Sequence, residues 1–372
     1  MKRVLPILLL LMLSACQQAD QSASVSQPVS LSEGMGGKPK PGFARAIEPR
    51  DFVFPADHAA HPEYATEWWY FTGNLETRSK RHFGYQLTIF RVGLDPAMPA
   101  KDSEWRTNQV YMGHLAISDI ESNKHSSGEI FARSAVGLAG SSLNPFHVWL
   151  GPWSIKSQDA DFFPLLLTAQ LEDIKIDLRV DKGNKPMVLQ GNKGLSQKGA
   201  EVGNASYYYS YTRLPTSGSV SINGASYEVT GNSWFDREWS SSALASDQQG
   251  WDWFALQLDD GRDLMFYRMR DVNGNAQTFS KGVLVDNEGT VIGLNLDNTR
   301  LEPLSSWTDA NGDEYPLKWR LRVEEHDLDL TVHAYFNEQL MQHTVHYWEG
   351  AVSVQGSHSG RGYMELSGYA DE

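Results

Sequence analysis

The sequence predicts an all-β protein, an antiparallel barrel or sandwich, built twice over. Segments of alternating, β-branched or aromatic residues recur from end to end, at 68–75, 83–92, 113–119, 171–180, 253–258, 264–270, 282–285, 317–323, 328–336, 351–354 and 363–366. Asp260-Gly261 and Asn311-Gly312 stand between such segments, as the turn residues of antiparallel hairpins do. No long segment carries helical periodicity.

The doubling rests on four anchors that recur in order. Trp68-Trp69-Tyr70-Phe71 leads to Leu75, and Trp251-Asp252-Trp253-Phe254 leads to Leu258, with return strands ending in Phe90-Arg91 and Tyr267-Arg268. The run at 113–119 matches 282–286, and Pro152-Trp153-Ser154-Ile155 matches Leu317-Lys318-Trp319-Arg320-Leu321. Glu228-Val229-Thr230-Gly231 matches Glu365-Leu366-Ser367-Gly368. A tandem duplication follows, with domains at 45–234 and 235–372.

The first residues are not part of the fold. Lys2 and Arg3 precede an apolar run at 4–13, which ends in Leu13-Ser14-Ala15-Cys16. That order is a secretory signal, and the run is too short to span a bilayer of about 30 Å. A leader ending in a cysteine resembles the bacterial lipobox, which implies removal of residues 1–15 and lipidation of Cys16. Several acyl chains on one residue anchor a protein stably without a transmembrane helix. Gln17, rather than Asp, follows the cysteine, which by the sorting pattern of such lipoproteins directs the protein to the outer membrane, facing the periplasm. Residues 16–44, rich in Gln, Ser, Ala, Gly and Pro, read as a disordered tether.

Cys16 is the one cysteine among 372 residues, so disulfides and thiol catalysis are excluded from the mature fold. The formal charge of −14 becomes more negative once Lys2 and Arg3 leave, and no basic cluster offsets it. Nucleic acid is therefore excluded as a partner. Twelve Trp, fifteen Tyr and fifteen Phe suit either a thick β core or an aromatic-lined pocket.

The strings Glu67-Trp68-Trp69-Tyr70-Phe71-Thr72-Gly73-Asn74-Leu75, Asp236-Arg237-Glu238-Trp239 and Gly250-Trp251-Asp252-Trp253-Phe254 resemble the AttH/CrtC-like family, which includes the carotenoid 1,2-hydratases. So do the run at 113–119 and the closing Gly362-Tyr363-Met364-Glu365-Leu366-Ser367-Gly368-Tyr369. The resemblance covers residues 45–372 and implies two consecutive lipocalin-like β-barrels. A barrel of that size can enclose one small, apolar ligand. The resemblance also implies an ABC-type exporter as partner, since genes of the two kinds often lie together.

The densest polar and aromatic cluster is Trp234-Phe235-Asp236-Arg237-Glu238-Trp239. In a strand, Asp236 and Glu238 face one side with Trp234, and Arg237 and Trp239 face the other. Two carboxylates on an apolar-walled face can include one with a raised pKa, able to donate a proton. Equally, Arg237 and a carboxylate can form a buried pair that holds the domains together. Hydrating an isolated alkene needs an acid strong enough to protonate carbon, one placed water and walls that tolerate a cation, and aromatic faces provide such walls. Trp239, Trp251, Trp253 and Tyr267 are the candidates. The hydratases of the resembled family use a His two residues before a Trp, then Tyr-x-Asp on the next hairpin. Trp239 and Tyr267 fit that pattern, whereas Arg237 and Met269 depart from it, and a guanidinium cannot serve as the acid.

Glu67 with Trp69, and Asp252 between Trp251 and Trp253, read either as pocket-lip carboxylates or as paired strand residues. His58 and His61, near Asp57 and Glu63, fit no zinc spacing, and Pro62 makes them surface histidines of a loop. No nucleophile elbow, phosphate loop or dinucleotide fingerprint is present, so no cofactor is expected. Three functions remain open: a tethered binding module for an apolar molecule, a hydratase- or cyclase-type enzyme using Asp236 or Glu238, and a protein-interaction module with filled barrels. The site reading requires Asp236, Glu238, Trp239 and Trp251 to line one cavity.

Overall fold

Period-two patterns give strands with two distinct faces; some strands here bury both faces and others only one. A computed structural model describes residues 41–97, 103–242 and 244–370, so the leader and Cys16 lie outside it. The first sheet comprises β1 (Thr66–Glu76), β2 (His82–Gly93), β3 (Gln109–Asp119), β4 (Lys124–Arg133), β5 (Ala139–Ser142), β6 (His147–Leu150), β7 (Trp153–Ser157), β8 (Leu165–Gln170), β9 (Ile174–Val180), β10 (Val188–Leu189), β11 (Leu195–Gln197), β12 (Ala205–Ile222) and β13 (Ala225–Ser240). The second comprises β14 (Gln248–Leu258), β15 (Asp263–Asp271), β16 (Lys281–Val285), β17 (Val291–Asn295), β18 (Arg300–Thr308), β19 (Glu314–Val323), β20 (Leu328–Ala334), β21 (Leu340–Gln342), β22 (His346–Gly356) and β23 (Gly360–Ser367). Helix among the described residues is confined to single 3₁₀ turns at Ala56–His58 and Glu324–His326.

The first sheet runs β4-β3-β2-β1-β13-β12-β9-β8-β7-β6-β5 and curls into a nearly closed barrel. The second runs β17-β16-β15-β14-β23-β22-β20-β19-β18 as a half-barrel. The two orders superimpose strand for strand from β4 to β7 and from β17 to β18, with β5 and β6 as an extension of the first. The all-β, tandem lipocalin-like architecture expected from the sequence is the one observed.

Register refines the internal repeat. Phe71 pairs with Phe235, and Phe254 pairs with Met364. With Phe71 set on Phe254, Asp236 therefore corresponds to Glu365, and Gly231 to Gly360 rather than to Gly368. The same register sets Arg91 on Arg270 rather than on Arg268. Trp153 and Trp319 also part company, because β7 corresponds in sheet order to β18 while Trp319 lies on β19. The change of sheet falls between Ser240 and Gln248 rather than at residue 235, because residues 236–239 pair with β1.

Each barrel fills its interior with alternate side chains. Trp69, Phe71, Leu87, Ile89, Trp153, Phe235 and Trp239 pack the first; Phe254, Leu256, Phe266, Trp319, Leu321 and Trp348 pack the second. The opposite faces of β1, β12, β13, β14, β15, β22 and β23 meet between the barrels in a third cluster that includes Tyr70, Tyr208, Trp234, Trp253, Tyr267 and Tyr363. Gly84 marks the closeness of this contact, since a Cβ there would stand 2.8 Å from the Ala351 Cβ and 2.9 Å from the Tyr363 Oη.

Candidate functional site: the cavity between the barrels

The site grows from two corresponding rows of side chains. In the first barrel, cross-strand pairing sets Thr88, Tyr70, Asp236 and Ser210 side by side on β2, β1, β13 and β12. In the second, it sets Tyr267, Trp253, Glu365 and Glu349 on β15, β14, β23 and β22. Apart from Ser210, which stands behind Asp236, these rows line a cavity of about 140 Å³. Trp68, Phe90, Met112, Trp251, Met269 and Tyr347 supply further apolar wall, and His114, Lys198, Tyr208 and Glu238 complete its polar part.

Three carboxyls in it are held away from ordinary acidity. Burial pushes Asp236 up to about 7, against three donors that favour its charged form. Ser210 Oγ donates to Oδ1 at 2.5 Å, Trp234 Nε1 to Oδ1 at 2.7 Å, and Tyr208 Oη to Oδ2 at 2.5 Å. Burial likewise raises Glu365 to about 7, opposed by the Trp251 Nε1 donor at 2.8 Å. Glu349 lies directly opposite Glu365 on the neighbouring strand. Burial first, and the Glu365 charge second, hold it well above the usual carboxylate range. Its Oε1 accepts from Tyr70 Oη of the other barrel at 2.6 Å. Its Oε2 is buried with no hydrogen-bond partner among the described residues.

Glu238 stands 3.4 Å from Lys198 Nζ. Burial disfavours the Lys198 ammonium, but Glu238 and Tyr267 outweigh that and raise its pKa. The ammonium lies 4.0 Å from the Tyr267 ring centre and 5.1 Å from that of Tyr208. His114 shares a 2.7 Å hydrogen bond with Tyr347 Oη across the barrels and stands 3.5 Å from Glu129.

The structure separates the candidate residues into two groups. Asp236, Glu238, Trp251, Trp253 and Tyr267 line the cavity. Trp239 does not line it with them, contrary to expectation, and neither do Glu67, Trp69, Arg237 and Asp252. The alternation of β1, β13 and β14 turns these five into the barrel interiors. Glu67 is enclosed by Arg91 Nε, Arg237 Nη2 and the His61 backbone N–H. Burial would raise its pKa, but the two guanidiniums outweigh burial and hold it well below the carboxylate range. The Arg237 guanidinium lies 4.0 Å from the Trp69 ring centre, and Trp239 stacks on His61 at 3.8 Å. Asp252, at the position of Trp69 in the repeat, plays the same part in the second barrel, held by Arg268 at 2.7 Å, Arg270 at 3.2 Å and the Tyr369 hydroxyl at 2.7 Å. Both acid–arginine sets act as polar plugs inside the barrels.

His58 and His61 are not surface histidines either. Both are buried, because the segment that carries them folds over the mouth of the first barrel. His58 bonds Tyr209 at 2.6 Å and stacks on Phe162. Glu349 and Glu365 were missed as site residues, since each is a lone carboxylate in its own strand and only register joins them. The repeat as read from the sequence sets Glu365 on Glu228, and only the strand register sets it on Asp236.

The fold and this cavity define a tandem lipocalin-like protein whose two barrels face each other across a shared, acid-lined space. The AttH-like family profile matches residues 45–369, and the chain belongs to that family. A crystal structure of an AttH protein from Nitrosomonas europaea is similar at 30% identity and TM-score 0.78, covering 88% of this chain and 100% of the other. Kievitone hydratase from Nectria haematococca shares the fold at 16% identity and TM-score 0.61, over 88% of this chain and 98% of its own. CghA shares it at 12% identity and TM-score 0.54, over 91% and 98%. No curated protein matches in sequence.

Proposed function

We propose that the protein binds a small, largely apolar molecule between its barrels and adds water to a C=C bond of it by acid–base catalysis. The observation that carries this reading is the Glu349–Glu365 pair, two buried carboxyls face to face in an aromatic-walled cavity with one oxygen unpartnered. An acid in such a setting stays protonated at neutral pH and can act as a proton donor. Glu349 gives its proton to one alkene carbon, and the π pair becomes the new C–H bond. The cation left on the other carbon is faced by Trp68, Trp251 and Trp253. A water oxygen attacks that carbon, and Asp236, which already accepts three hydrogen bonds, takes the proton the water gives up. Proton return from Asp236 to Glu349 restores the site, and the net change is addition of one water.

Two neighbouring arrangements support this division of labour. Glu238 stands next to Lys198, which leaves Glu349 and Asp236 as a pair of carboxyls in different environments. One of the fold's other owners is named a hydratase. The lipid anchor on Cys16 would hold the protein at the outer membrane, facing the periplasm, where an ABC-type exporter is the partner that would deliver or remove an apolar compound.

The test is to incubate the protein with a panel of isoprenoid alkenes in ¹⁸O-labelled water. Label should appear in an alcohol product with wild type and fall at least about 100-fold in Glu349→Gln, the usual scale of a lost acid–base group. No label with wild type, or equal label in the variant, overturns the catalytic reading.

A further inference from the structure

We propose that the cavity selects organic cations: a small, apolar molecule with one positive charge, such as a protonated amine, set against Glu349 and Glu365. The inference rests on the reading of this cavity as the functional site and adds the charge of its ligand.

The wall chemistry is unbalanced. Four carboxyls line the cavity, Asp236, Glu238, Glu349 and Glu365, against one ammonium, Lys198. That ammonium is committed to Glu238 at 3.4 Å and to the faces of Tyr267 and Tyr208. Asp236 has its donors in Ser210, Trp234 and Tyr208. The acidic capacity left without a partner is on Glu349 and Glu365. The groups that meet them from the elements packed against them are the Tyr70 hydroxyl from β1, the Trp251 indole from β14 and Tyr347 from β22, all neutral, while Asp236 and Glu238 on β13 add like charge at Glu365. His114 on β3 is turned to Tyr347 and Glu129 instead.

A buried oxygen without a partner, as Glu349 Oε2 is, is an incomplete contact that a ligand can complete. Burial and the lack of a counter-charge keep Glu349 protonated, and Glu365, raised to about 7, is protonated in part at neutral pH. A ligand cation supplies that charge to Glu365, so its entry should ionise that carboxyl and expel its proton while Glu349 keeps its own. Trp68, Trp251 and Trp253 offer π faces that attract the same charge while covering the carbon skeleton. A neutral molecule of the same shape gains only the second contribution, and an anion is repelled.

The experiment is calorimetric titration of the full mature protein at pH 7 with benzylammonium, benzyl alcohol and phenylacetate, in two buffers of different ionisation enthalpy. Benzylammonium should bind at least about tenfold tighter than benzyl alcohol, release a proton to buffer, and lose its advantage in the Glu349→Gln/Glu365→Gln double variant. These amides keep the size and shape of the carboxyls they replace, and proton release by wild type is a readout that needs no variant. Alcohol binding as tightly as the ammonium, tighter phenylacetate binding, or binding without proton release overturns the inference and leaves the cavity reading standing. No binding of any probe overturns both.

Discussion

Replacing Asp236 with Asn should make the protein's stability less sensitive to a rise in pH from the acid to the neutral range. In the folded chain burial holds this carboxyl at about 7, against an ordinary value of 3.8. Between those values the native state binds a proton that the unfolded chain does not, so stability is full below 3.8 and falls as pH rises toward 7. Each pH unit in that window removes about 1.4 kcal/mol, and the rise from pH 5 to pH 8 crosses about two of them, for a loss near 3 kcal/mol. Asn cannot ionise. It does forfeit one acceptor, most directly the one used by Tyr208, at about 1–3 kcal/mol, but that penalty is the same at both pH values. The stability difference between wild type and Asp236→Asn should therefore move by about 3 kcal/mol in favour of the variant between pH 5 and pH 8. Urea unfolding followed by tryptophan fluorescence, extrapolated linearly at each pH, measures it. A difference that stays constant within about 0.5 kcal/mol would show that Asp236 titrates like a free aspartate, and the base role assigned to it would fall.

Glu67→Gln leaves Arg91 and Arg237 enclosed with no carboxylate, and should cost about 3–5 kcal/mol in the same unfolding assay while leaving binding in the cavity unchanged. A loss under about 1 kcal/mol would refute the plug role. Cys16→Ser should move the protein from the membrane to the soluble fraction on cell fractionation, and retention in the membrane would refute lipid anchoring.

Alternation alone sorted residues 234–239 into two faces, and β13 obeys it. What alternation could not say is which face meets a cavity, because β13 is buried on both sides from Ser233 to Ser240. Trp69 and Trp239 look like pocket walls in the sequence and prove to be core, since the interior of a filled barrel and the lining of a pocket draw on the same aromatic residues. The hairpin of β12 and β13 escaped notice for a related reason. Its outer part is a Ser- and Thr-rich run at 216–221 without apolar alternation, although Asn223 and Gly224, both at positive φ, mark the type I′ turn that joins it. His58 and His61 read as loop surface because burial of a loop depends on what lies beneath it, here Tyr209, Phe162 and Trp239.

The repeat explains why the site lies between the barrels and why it is acidic. Each interior is occupied by bulky side chains and an acid–arginine plug, Glu67 with Arg91 and Arg237 in one, Asp252 with Arg268 and Arg270 in the other. The space for a ligand then falls where the corresponding outer faces meet. Duplication sets equivalent rows opposite each other there, and divergence has given them different jobs. Tyr70 in one row corresponds to Trp253 in the other, and Ser210, a donor to Asp236, corresponds to Glu349, an acid facing Glu365. On a barrel standing alone these carboxyls would look into water and titrate normally, because burial is the first cause of every one of their shifts. The contact between the halves is thus what raises the pKa of these acids, and Tyr70, reaching from the first barrel to Glu349 of the second, stands at that contact.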